Sequence, residues 1–351
     1  MREAREELNR REFVKKGLQV AAGAAALSSG IARAVLPEEK KIPVTESIPA
    51  REFGKTGYTL PILGFGGCGI VERWGAMGYN SPVLPEEERA AMVRYGYDKG
   101  IRYFDTARQY YESEEIMGKG LKGIRDEVYL ASKIWAFKPE AVRRSVETSL
   151  EKLQTGYLDA LQIHSPIIEN LGFEACMKLH AEMLKLRDEG LFRFVGLTTH
   201  VAFETVYKMI CTGGFDQVML AYGYCKGFHE MLSEKNIEWR EKCIAEAHDR
   251  NMGLVLMKVF NGWVYNRSAA RMVPGYDKAA LAKLPAAAFR WVLQEKRFEI
   301  FNVGMSYISD IDDDIKILNS DLTLTPEDSR LLADFTAKVY ENPWAKGLEV
   351  V

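Results

Sequence analysis

Short runs of β-branched and aromatic residues alternate with amphipathic stretches from residue 60 onward. The runs recur about every 30 residues, and the stretches between them carry apolar residues at the spacing of a helix. The predicted strands are Leu60–Phe65, Ile101–Thr106, Val128–Lys133, Leu158–His164, Arg193–Thr198, Gln217–Ala221, Gly253–Lys258 and Glu299–Val303. The predicted helices include Glu86–Lys99, Pro139–Leu153, Ala175–Glu189, Glu234–Arg250, Ala279–Glu295 and, after the last strand, Pro326–Tyr340.

Eight strands in strict alternation with helices predict a parallel sheet, and eight is the number that closes a (β/α)8 barrel. A doubly wound sheet is the alternative, but no G-x-G-x-x-G sequence opens a helix after any of the strands. The segment Arg51–Pro61 predicts a hairpin that plugs the bottom of the barrel. We therefore predict an α/β fold in which residues 51–351 form one TIM barrel domain, with an N-terminal hairpin and a C-terminal helix and tail.

Residues 1–34 have a different character from the rest of the chain. A basic start with Arg10 and Arg11 leads into the weakly apolar run Gly17–Ile31, which is too short to span a bilayer and ends in a small-x-small cleavage pattern. An alanine-rich amphipathic helix of the domain is the alternative interpretation. The core around Arg10 and Arg11 resembles a twin-arginine (Tat) signal, with Asn9 where Ser or Thr is usual.

This resemblance implies a signal peptide over residues 1–34, a linker over residues 35–50, and export to the periplasm or beyond by the twin-arginine machinery. Such signals deliver folded proteins, often with a cofactor already bound. After cleavage we expect no stable membrane span.

Composition narrows the class of protein. Apolar residues make up 47% and charged residues 27% of the chain, which excludes a disordered or collagen-like protein. A formal charge of −2 argues against a nucleic-acid partner held mainly by charge. The five cysteines show no metal-like spacing, and no His-x-His pair follows the first strand, so we expect no metal.

Three adjacent predicted strands end in an ionisable residue: Asp105, Lys133 and His164, and Tyr110 follows Asp105 by five positions. Taken singly, the aspartate could cap a helix, the lysine could be solvated and the histidine could be a core residue. In a barrel, however, the carboxyl ends of the strands share one mouth, where the chemistry of such folds collects. The four side chains are therefore predicted to converge there.

Together these groups make a proton donor. A tyrosine hydroxyl has a pKa near ~10, and a nearby ammonium favours its phenolate. A carboxylate paired with that ammonium holds the lysine in place, and an imidazole can orient a substrate carbonyl. The set suits proton donation to the oxyanion that hydride delivery creates.

Three motifs resemble the signatures of the aldo-keto reductases, a family of NAD(P)-dependent (β/α)8 barrels. They are Phe104-Asp-Thr-Ala-x-x-Tyr110-x-x-Ser113-Glu114, Leu130-Ala-Ser-Lys133-Ile-Trp135 and Asp159-Ala-Leu-Gln-Ile-His164-Ser-Pro. The resemblance implies that Tyr110 is the general acid, Lys133 its partner, Asp105 the residue that orients Lys133, and His164 the carbonyl-directing group. Tyr111 stands where the family usually has glycine, and it is an alternative acid by adjacency.

The resemblance also implies a cofactor site at the ends of the remaining strands, where this chain departs from the family. Thr198 and Thr199 replace a Ser-Asn pair, Met219 stands in place of a glutamine with Gln217 two positions earlier, and Met257-Lys258 replaces a Tyr-Ser pair. Met257 is expected to cover a ring face and Lys258 to reach a pyrophosphate, although Met219 and Met257 could equally be barrel core. The predicted cofactor-binding residues are Gly66, Gly67, Thr198, Thr199, Met219, Met257, Lys258, Gly304, Ser306, Asp310 and Asp314.

The segment Val303–Asp314, after the eighth predicted strand, indicates which cofactor is bound. Gly304, Ser306 and the start of the following helix suit an adenosine diphosphate at a helix N-terminus. Family members that prefer NADP carry Lys or Arg in this region, whereas a carboxylate at Asp310 would repel a 2′-phosphate. We therefore expect NAD(H) or NADP(H), with NAD(H) slightly favoured.

Tryptophans after three strands predict an aromatic substrate pocket above the nicotinamide, with loop packing as the alternative. They are Trp74, Trp135 and Trp263, with Phe137 and Tyr265 as neighbours.

The function expected is an exported oxidoreductase that reduces an aldehyde or ketone, or oxidises the alcohol, with a small-molecule carbonyl substrate. The alternative is a nucleotide-binding sensor or accessory subunit with little turnover. Because reduced nicotinamide has no obvious pool outside the cytoplasm, three routes stay open: the cofactor is loaded before export and held tightly, the reaction is a cycle on bound cofactor, or a redox partner supplies electrons.

Overall fold

The computed structural model describes residues 42–72, 84–226 and 231–346. The strands in these residues are β1 (Ala50–Glu52), β2 (Thr59–Pro61), β3 (Leu63–Gly66), β4 (Tyr103–Asp105), β5 (Tyr129–Ile134), β6 (Leu158–Ile163), β7 (Phe192–Thr199), β8 (Gln217–Ala221), β9 (Gly253–Met257) and β10 (Ile300–Gly304). Within this described part, β1 and β2 pair antiparallel, and the other eight strands close into a parallel barrel in the order β10-β3-β4-β5-β6-β7-β8-β9. The prediction of a (β/α)8 barrel is confirmed.

Helices follow the barrel strands and cover the outside of the sheet. They are α1 (Glu86–Asp98), α2 (Ser113–Gly120), α3 (Pro139–Lys152), α4 (Ser165–Asp188), α5 (Phe203–Cys211), α6 (Glu234–Asp249), α7 (Ala269–Met272), α8 (Lys278–Val292), α9 (Ile308–Leu318), α10 (Pro326–Glu341) and α11 (Pro343–Lys346). The predicted strand Leu60–Phe65 is split between β2 and β3. The helix predicted at Ala175–Glu189 begins ten residues earlier as α4, with a break at Gly172.

The N-terminal hairpin closes the bottom of the barrel, as predicted. Phe53 and Leu60 of this hairpin are fully buried. The Phe53 ring lies 5.9 Å from the ring of Tyr103 and 5.4 Å from that of Tyr129, edge to face in both pairs. These rings fill the lower barrel interior together with Met219, so the polar mouth lies at the opposite end.

The predicted signal peptide, residues 1–34, lies outside the described residues. Residues 42–49 of the predicted linker pack on the barrel, since Ile42 and Ile48 are buried and the Pro43 carbonyl accepts a hydrogen bond from Arg102 Nε at 2.9 Å. Within the described ranges, no helix has both the length and the apolar character needed to cross a membrane.

The C-terminal helix α10 holds the loops that follow β8 and β9. Thr325 and Asp328 form a capping box at its start. Near its end, the Tyr340 hydroxyl accepts a hydrogen bond from the Lys226 backbone N–H at 3.0 Å. Residues 347–351 of the predicted tail lie outside the described residues.

Candidate active site

A buried ion pair lies at the centre of the barrel mouth. Lys133 Nζ, from β5, donates hydrogen bonds to Asp105 Oδ1 at the end of β4 and to the Thr106 carbonyl, the latter at 2.8 Å. The second oxygen of Asp105 accepts from Gln162 Nε2 at 2.9 Å. Both charged residues are at most 2% exposed. Asp105 therefore orients Lys133 rather than capping a helix.

Tyr110 and His164 lie directly beside this ion pair. Lys133 Nζ is 4.9 Å from the centre of the Tyr110 ring. The rings of Tyr110 and His164 meet edge to face with their centres 5.5 Å apart. The structure thus brings all four predicted residues together, as their strand-end positions required.

Tyr111, the adjacent tyrosine, is 42% exposed. Its backbone is left-handed, with φ of 43°, a conformation that costs energy for any residue with a Cβ. This explains why glycine suits the position. Because Tyr110 has the contacts with Lys133 and His164, it is the better candidate for the acid.

Burial dominates the electrostatics of the two rings. The pKa of Tyr110 is raised well above its usual value, first by burial and then by Cys68 and Asp105. The pKa of His164 is lowered well below its usual value, by burial and by the charge on Lys133. The expectation that Lys133 lowers the pKa of Tyr110 is therefore reversed, because Asp105 balances the lysine charge while burial disfavours the phenolate. At neutral pH the site holds a phenol and a neutral imidazole.

A second buried ion pair fixes the loop that carries Tyr110. Glu114 is fully buried and accepts hydrogen bonds from Arg108 and, at 2.8 Å, from the Ser132 hydroxyl. The Arg108 backbone N–H donates to the Lys133 carbonyl at 3.1 Å. The loop is thereby tied to β5 at the lysine. Glu114 is the last residue of the first motif, but its position in the sequence does not predict a role for its side chain.

On the other side of the mouth, three predicted cofactor residues also have structural contacts. The Thr198 hydroxyl oxygen accepts from the Ser165 N–H at 2.9 Å, and that of Thr199 accepts from the Ala202 N–H at 2.8 Å. Met219 is 1% exposed and belongs to the inner core, as its alternative interpretation held. Gln217 lies deeper in the barrel and accepts from the Tyr129 hydroxyl at 2.6 Å, so it does not take the place of a glutamine at Met219.

The predicted glycines at the first barrel strand allow close packing of the backbone. A Cβ on Gly66 would lie 2.8 Å from the Val303 carbonyl oxygen, and one on Gly67 would lie 2.7 Å from Ser113 Oγ. Neither distance is tolerated. Close contacts with neighbouring residues therefore explain why both positions are glycine.

The segment after β9 is strained. Lys258, Asn261 and Trp263 are left-handed, with φ of 76°, 45° and 72°. Such conformations concentrate at functional sites. A Cβ on Gly304 would lie 3.2 Å from Cys68 Sγ and 3.6 Å from Trp263 Cζ2, which places this segment next to the ends of β3 and β10.

Asp310 is the carboxylate of the capping box at the start of α9. Its Oδ2 accepts from the backbone N–H groups of Ser306 and Tyr307 at 2.8 and 3.0 Å, while Oδ1 accepts from Arg267 Nε at 3.0 Å. Arg267 also lies over the Tyr307 ring at 4.0 Å. The inference that Asp310 repels a 2′-phosphate is therefore weakened, because its charge is balanced by an arginine that lies 43 positions away in sequence.

Asp314 is one turn further along α9. It is 3% exposed, and its Oδ2 has no hydrogen-bond partner among the described residues. Its pKa is raised well above the usual range by burial, then by Asp310 and Asp313. Burial thus favours the protonated form of the Asp314 carboxyl group, which has both a donor and an acceptor.

Aromatic residues lie on two sides of the mouth. Trp135 contacts Phe137 and His164, with ring centres 5.1 and 6.2 Å apart, and it is 37% exposed. Trp263 lies instead near β10. Tyr265 is buried, and its hydroxyl bonds to Cys225 Sγ at 2.9 Å, so it is a core residue and not part of a pocket. Trp74 lies outside the described residues.

Within the described ranges, no group of three or more His, Cys, Asp or Glu side chains is placed to hold a metal ion. The buried Lys133–Asp105 pair beside Tyr110 and His164, at the mouth of a (β/α)8 barrel, is the arrangement of a carbonyl oxidoreductase.

The model of the Aldo/keto reductase family matches residues 63–260. L-galactose dehydrogenase of Arabidopsis thaliana is 28% identical over 291 residues, which cover 76% of this chain and 87% of that protein. An aldo-keto reductase of Bacillus halodurans in its holo form superposes with a TM-score of 0.61 at 18% identity, covering 82% of this chain and 96% of that one. One of Klebsiella pneumoniae, solved with NADPH, gives 0.59 at 19% identity, covering 84% and 95%.

The similarity to these two solved structures supports the fold, and the match to the family model identifies the family. The chain belongs to the Aldo/keto reductase family. It is an NAD(P)-dependent oxidoreductase of carbonyl compounds and the corresponding alcohols.

Proposed function

We propose that Tyr110 is the general acid in the reduction of an aldehyde or ketone, and the general base in the reverse oxidation. The observation that carries this assignment is the position of Lys133, which bonds to Asp105 and lies 4.9 Å from the centre of the Tyr110 ring. His164 completes the site, since its ring contacts that of Tyr110.

The protonation states suit this direction of proton transfer. When bound, a nicotinamide cofactor supplies a hydride to the carbonyl carbon. Tyr110 retains its proton until negative charge develops on the carbonyl oxygen, because burial raises its pKa. Lys133 then stabilises the phenolate that is left, and Asp105 keeps Lys133 in place. Neutral His164 can donate an N–H to the same oxygen without adding charge.

The residues on the other side of the mouth fit a dinucleotide. A Cβ on Gly304 would lie 3.2 Å from Cys68 Sγ, so glycine allows close packing at the end of β10, and Lys258 directly follows the neighbouring strand β9. The unpartnered Asp314 Oδ2 offers a buried polar contact near the start of α9. Thr198, Met257 and Ser306 would hold the nicotinamide and diphosphate ends, while Trp135 and Phe137 would contact the substrate.

We favour NAD(H) slightly over NADP(H). Arg267 and Asp310 balance one another, and burial favours the protonated form of Asp314, so this corner offers little net charge to a dianionic 2′-phosphate. Titration of intrinsic tryptophan fluorescence with each cofactor tests the preference. Tenfold tighter binding of NADP(H) would contradict it.

Replacement of Tyr110 by Phe is the direct test of the assignment. We expect turnover to fall by about 10²–10⁴, the usual contribution of a general acid, with cofactor affinity nearly unchanged. Tyr111→Phe is the matched control and should retain activity, because Tyr111 is exposed. If Tyr110→Phe keeps full activity, or if Tyr111→Phe loses it, the assignment is wrong.

A nucleotide-binding sensor or accessory subunit is the second candidate. It is favoured by the structural contacts of Thr199 and Met219, which leave fewer groups dedicated to the nicotinamide. Single-turnover hydride transfer in the purified protein separates the two functions. A sensor would bind cofactor but transfer hydride to no carbonyl compound.

The sequence of residues 1–34 supports export by the twin-arginine machinery, with the mature protein in the periplasm or beyond. Conversion of Arg10 and Arg11 to Lys should retain the protein inside the cell. A cofactor loaded before export must be reduced again on the protein after each turnover, either in a cycle on the bound cofactor or by a redox partner. Mass analysis of the small molecules released on denaturing the exported protein tests whether a nicotinamide cofactor is bound.

A further inference from the structure

The carboxylate of Asp105 is hydrogen-bonded on both of its oxygens. Oδ1 accepts from Lys133 Nζ and, at 3.5 Å, from Asn302 Nδ2. Oδ2 accepts from Gln162 Nε2 at 2.9 Å. Because Asp105 is buried, solvent water cannot take the place of a lost donor. Each of the three donors therefore influences the direction in which the carboxylate points.

Packing fixes the side chain of Gln162. It is fully buried, and its backbone lies in register with Lys133 of β5 on one side and with Gly196 of β7 on the other. A Cβ on Gly196 would lie 2.9 Å from Gln162 Cγ, so the glutamine side chain occupies space that only glycine leaves open. The amide of Gln162 is thereby held against Asp105 across β5.

A second glutamine lies on the opposite side of Gly196. Gln217 of β8 is also fully buried and in register with Gly196, and the same added Cβ would lie 2.7 Å from its Cγ. Gln217 accepts a hydrogen bond from the Tyr129 hydroxyl at 2.6 Å, whereas Gln162 donates to Asp105. The two glutamines thus share their burial and packing and differ in the partner.

We propose that Gln162 is a positioning residue of the reaction: it holds Oδ2 of Asp105 so that Oδ1 stays against Lys133. The lysine is thereby kept beside Tyr110, where it stabilises the phenolate left by proton donation. The inference rests on the proposed function, because Gln162 acts through this ion pair and itself exchanges no proton.

The charge of Asp105 depends on the same contacts. Burial raises the pKa of Asp105, whereas Lys133 and the hydrogen bond from Gln162 lower it. Loss of the amide would therefore make protonation of Asp105 easier, and Lys133 would lose its counter-charge. The other titratable side chains that face Asp105 have their pKa values raised by burial and are uncharged at neutral pH: Tyr103, Tyr110 and Cys68.

The test compares Gln162→Met with Gln217→Met in the full-length protein. Each change removes an amide of the same size at an equally buried position, so a purely structural role predicts the same result for both. Hydride transfer is measured in a single turnover with NADH and NADPH, and with 4-nitrobenzaldehyde and glyceraldehyde as probes. We expect Gln162→Met to be slower than the wild type by about tenfold or more, as for a lost hydrogen bond to a charged group, and Gln217→Met to stay within about threefold.

The pH dependence separates positioning from packing. In Gln162→Met, the loss of hydride transfer on the acid side should begin about one pH unit higher than in the wild type, because Asp105 takes up a proton more readily. Gln162→Glu keeps the shape of the side chain and covers the case in which Gln162→Met does not fold. The introduced carboxyl group can donate to Asp105 only while it is protonated, so hydride transfer in this variant should slow as the pH rises from about 5 to 8.

The outcomes are separable. Equal rates in Gln162→Met and Gln217→Met would overturn the inference, and so would a wild-type pH profile in Gln162→Met or Gln162→Glu. If the wild type transfers hydride to neither probe from either cofactor, the proposed function itself has failed.

Discussion

On the side of the mouth formed by β4, β5 and β6, ionisable side chains contact one another. On the side formed by β7 to β10, the polar side chains mainly contact the backbone of their own loops. Lys133 bonds to Asp105 across two strands, whereas the Thr199 hydroxyl accepts from the Ala202 N–H three residues later. The first side forms a network of buried charges, whereas on the second side the polar side chains cap the local backbone.

This difference determines how well each side of the mouth tolerates amino-acid substitution. A network of buried charges loses its function when one member is removed, because the partner is left uncompensated. A capping residue can be replaced by another with the same hydrogen-bonding atom at modest cost. This explains how the chain retains the catalytic motifs of the family while it departs from the family at Thr199.

The largest effect is expected from Lys133→Met. Turnover should fall by about 10²–10⁴, and unfolding in urea should show a loss of about 3–5 kcal/mol, since Asp105 would remain buried without its cation. Lys152→Met is the matched control, because Lys152 pairs with Glu115 at the surface at 2.5 Å. That change should cost less than about 1 kcal/mol. Equal losses in the two variants would contradict the conclusion that the Lys133–Asp105 pair, unlike a surface ion pair, leaves an uncompensated buried charge when it is broken.

A smaller effect is expected from Asp310→Asn on the cofactor side. The asparagine retains an acceptor for the helix cap, so the free energy of unfolding should change by about 1 kcal/mol or less. The variant leaves Arg267 without its carboxylate, and NADPH should then bind several-fold more tightly while NADH changes little. Fluorescence titration with both cofactors measures this. Unchanged NADPH affinity would mean that Arg267 does not reach the cofactor.

The smallest effect concerns pH. Burial and Lys133 lower the pKa of His164 in the folded protein, so the unfolded chain binds the proton more readily. Stability is therefore lost as pH falls through about 6.5, the unfolded value. Between pH 7.5 and 5.5 the wild type should lose about 1 kcal/mol more than His164→Asn in chemical denaturation. An equal loss would indicate that His164 is protonated in the fold.

The catalytic site was predictable because its residues end adjacent strands. Asp105, Lys133 and His164 each close a short apolar run, and parallel strands of a barrel point their carboxyl ends the same way. Gln162 and Glu114 were not predictable in the same way. Their roles depend on which side-chain atoms meet across strands, and strand pattern alone does not specify those contacts.

The cofactor side was less predictable for a physical reason. The charge of Asp310 by itself predicts repulsion of a phosphate, but Arg267 approaches this carboxylate from the loop after β9. The position of Tyr265 after a strand predicts a pocket residue, yet its side chain lies in the core against Cys225 and Thr336. Loops are not periodic, so the direction of their side chains is set by packing.

By itself, the sequence determined the alternation of strands and helices, the closure into eight units, and the convergence of Tyr110, Lys133, Asp105 and His164. Periodic patterns and strand-end positions carry that information, because they repeat along the chain. The tertiary structure alone decided that Tyr110 and not Tyr111 meets Lys133, that burial raises the pKa of Tyr110, and that Arg267 balances Asp310. These outcomes depend on distance and solvent exclusion between residues far apart in sequence.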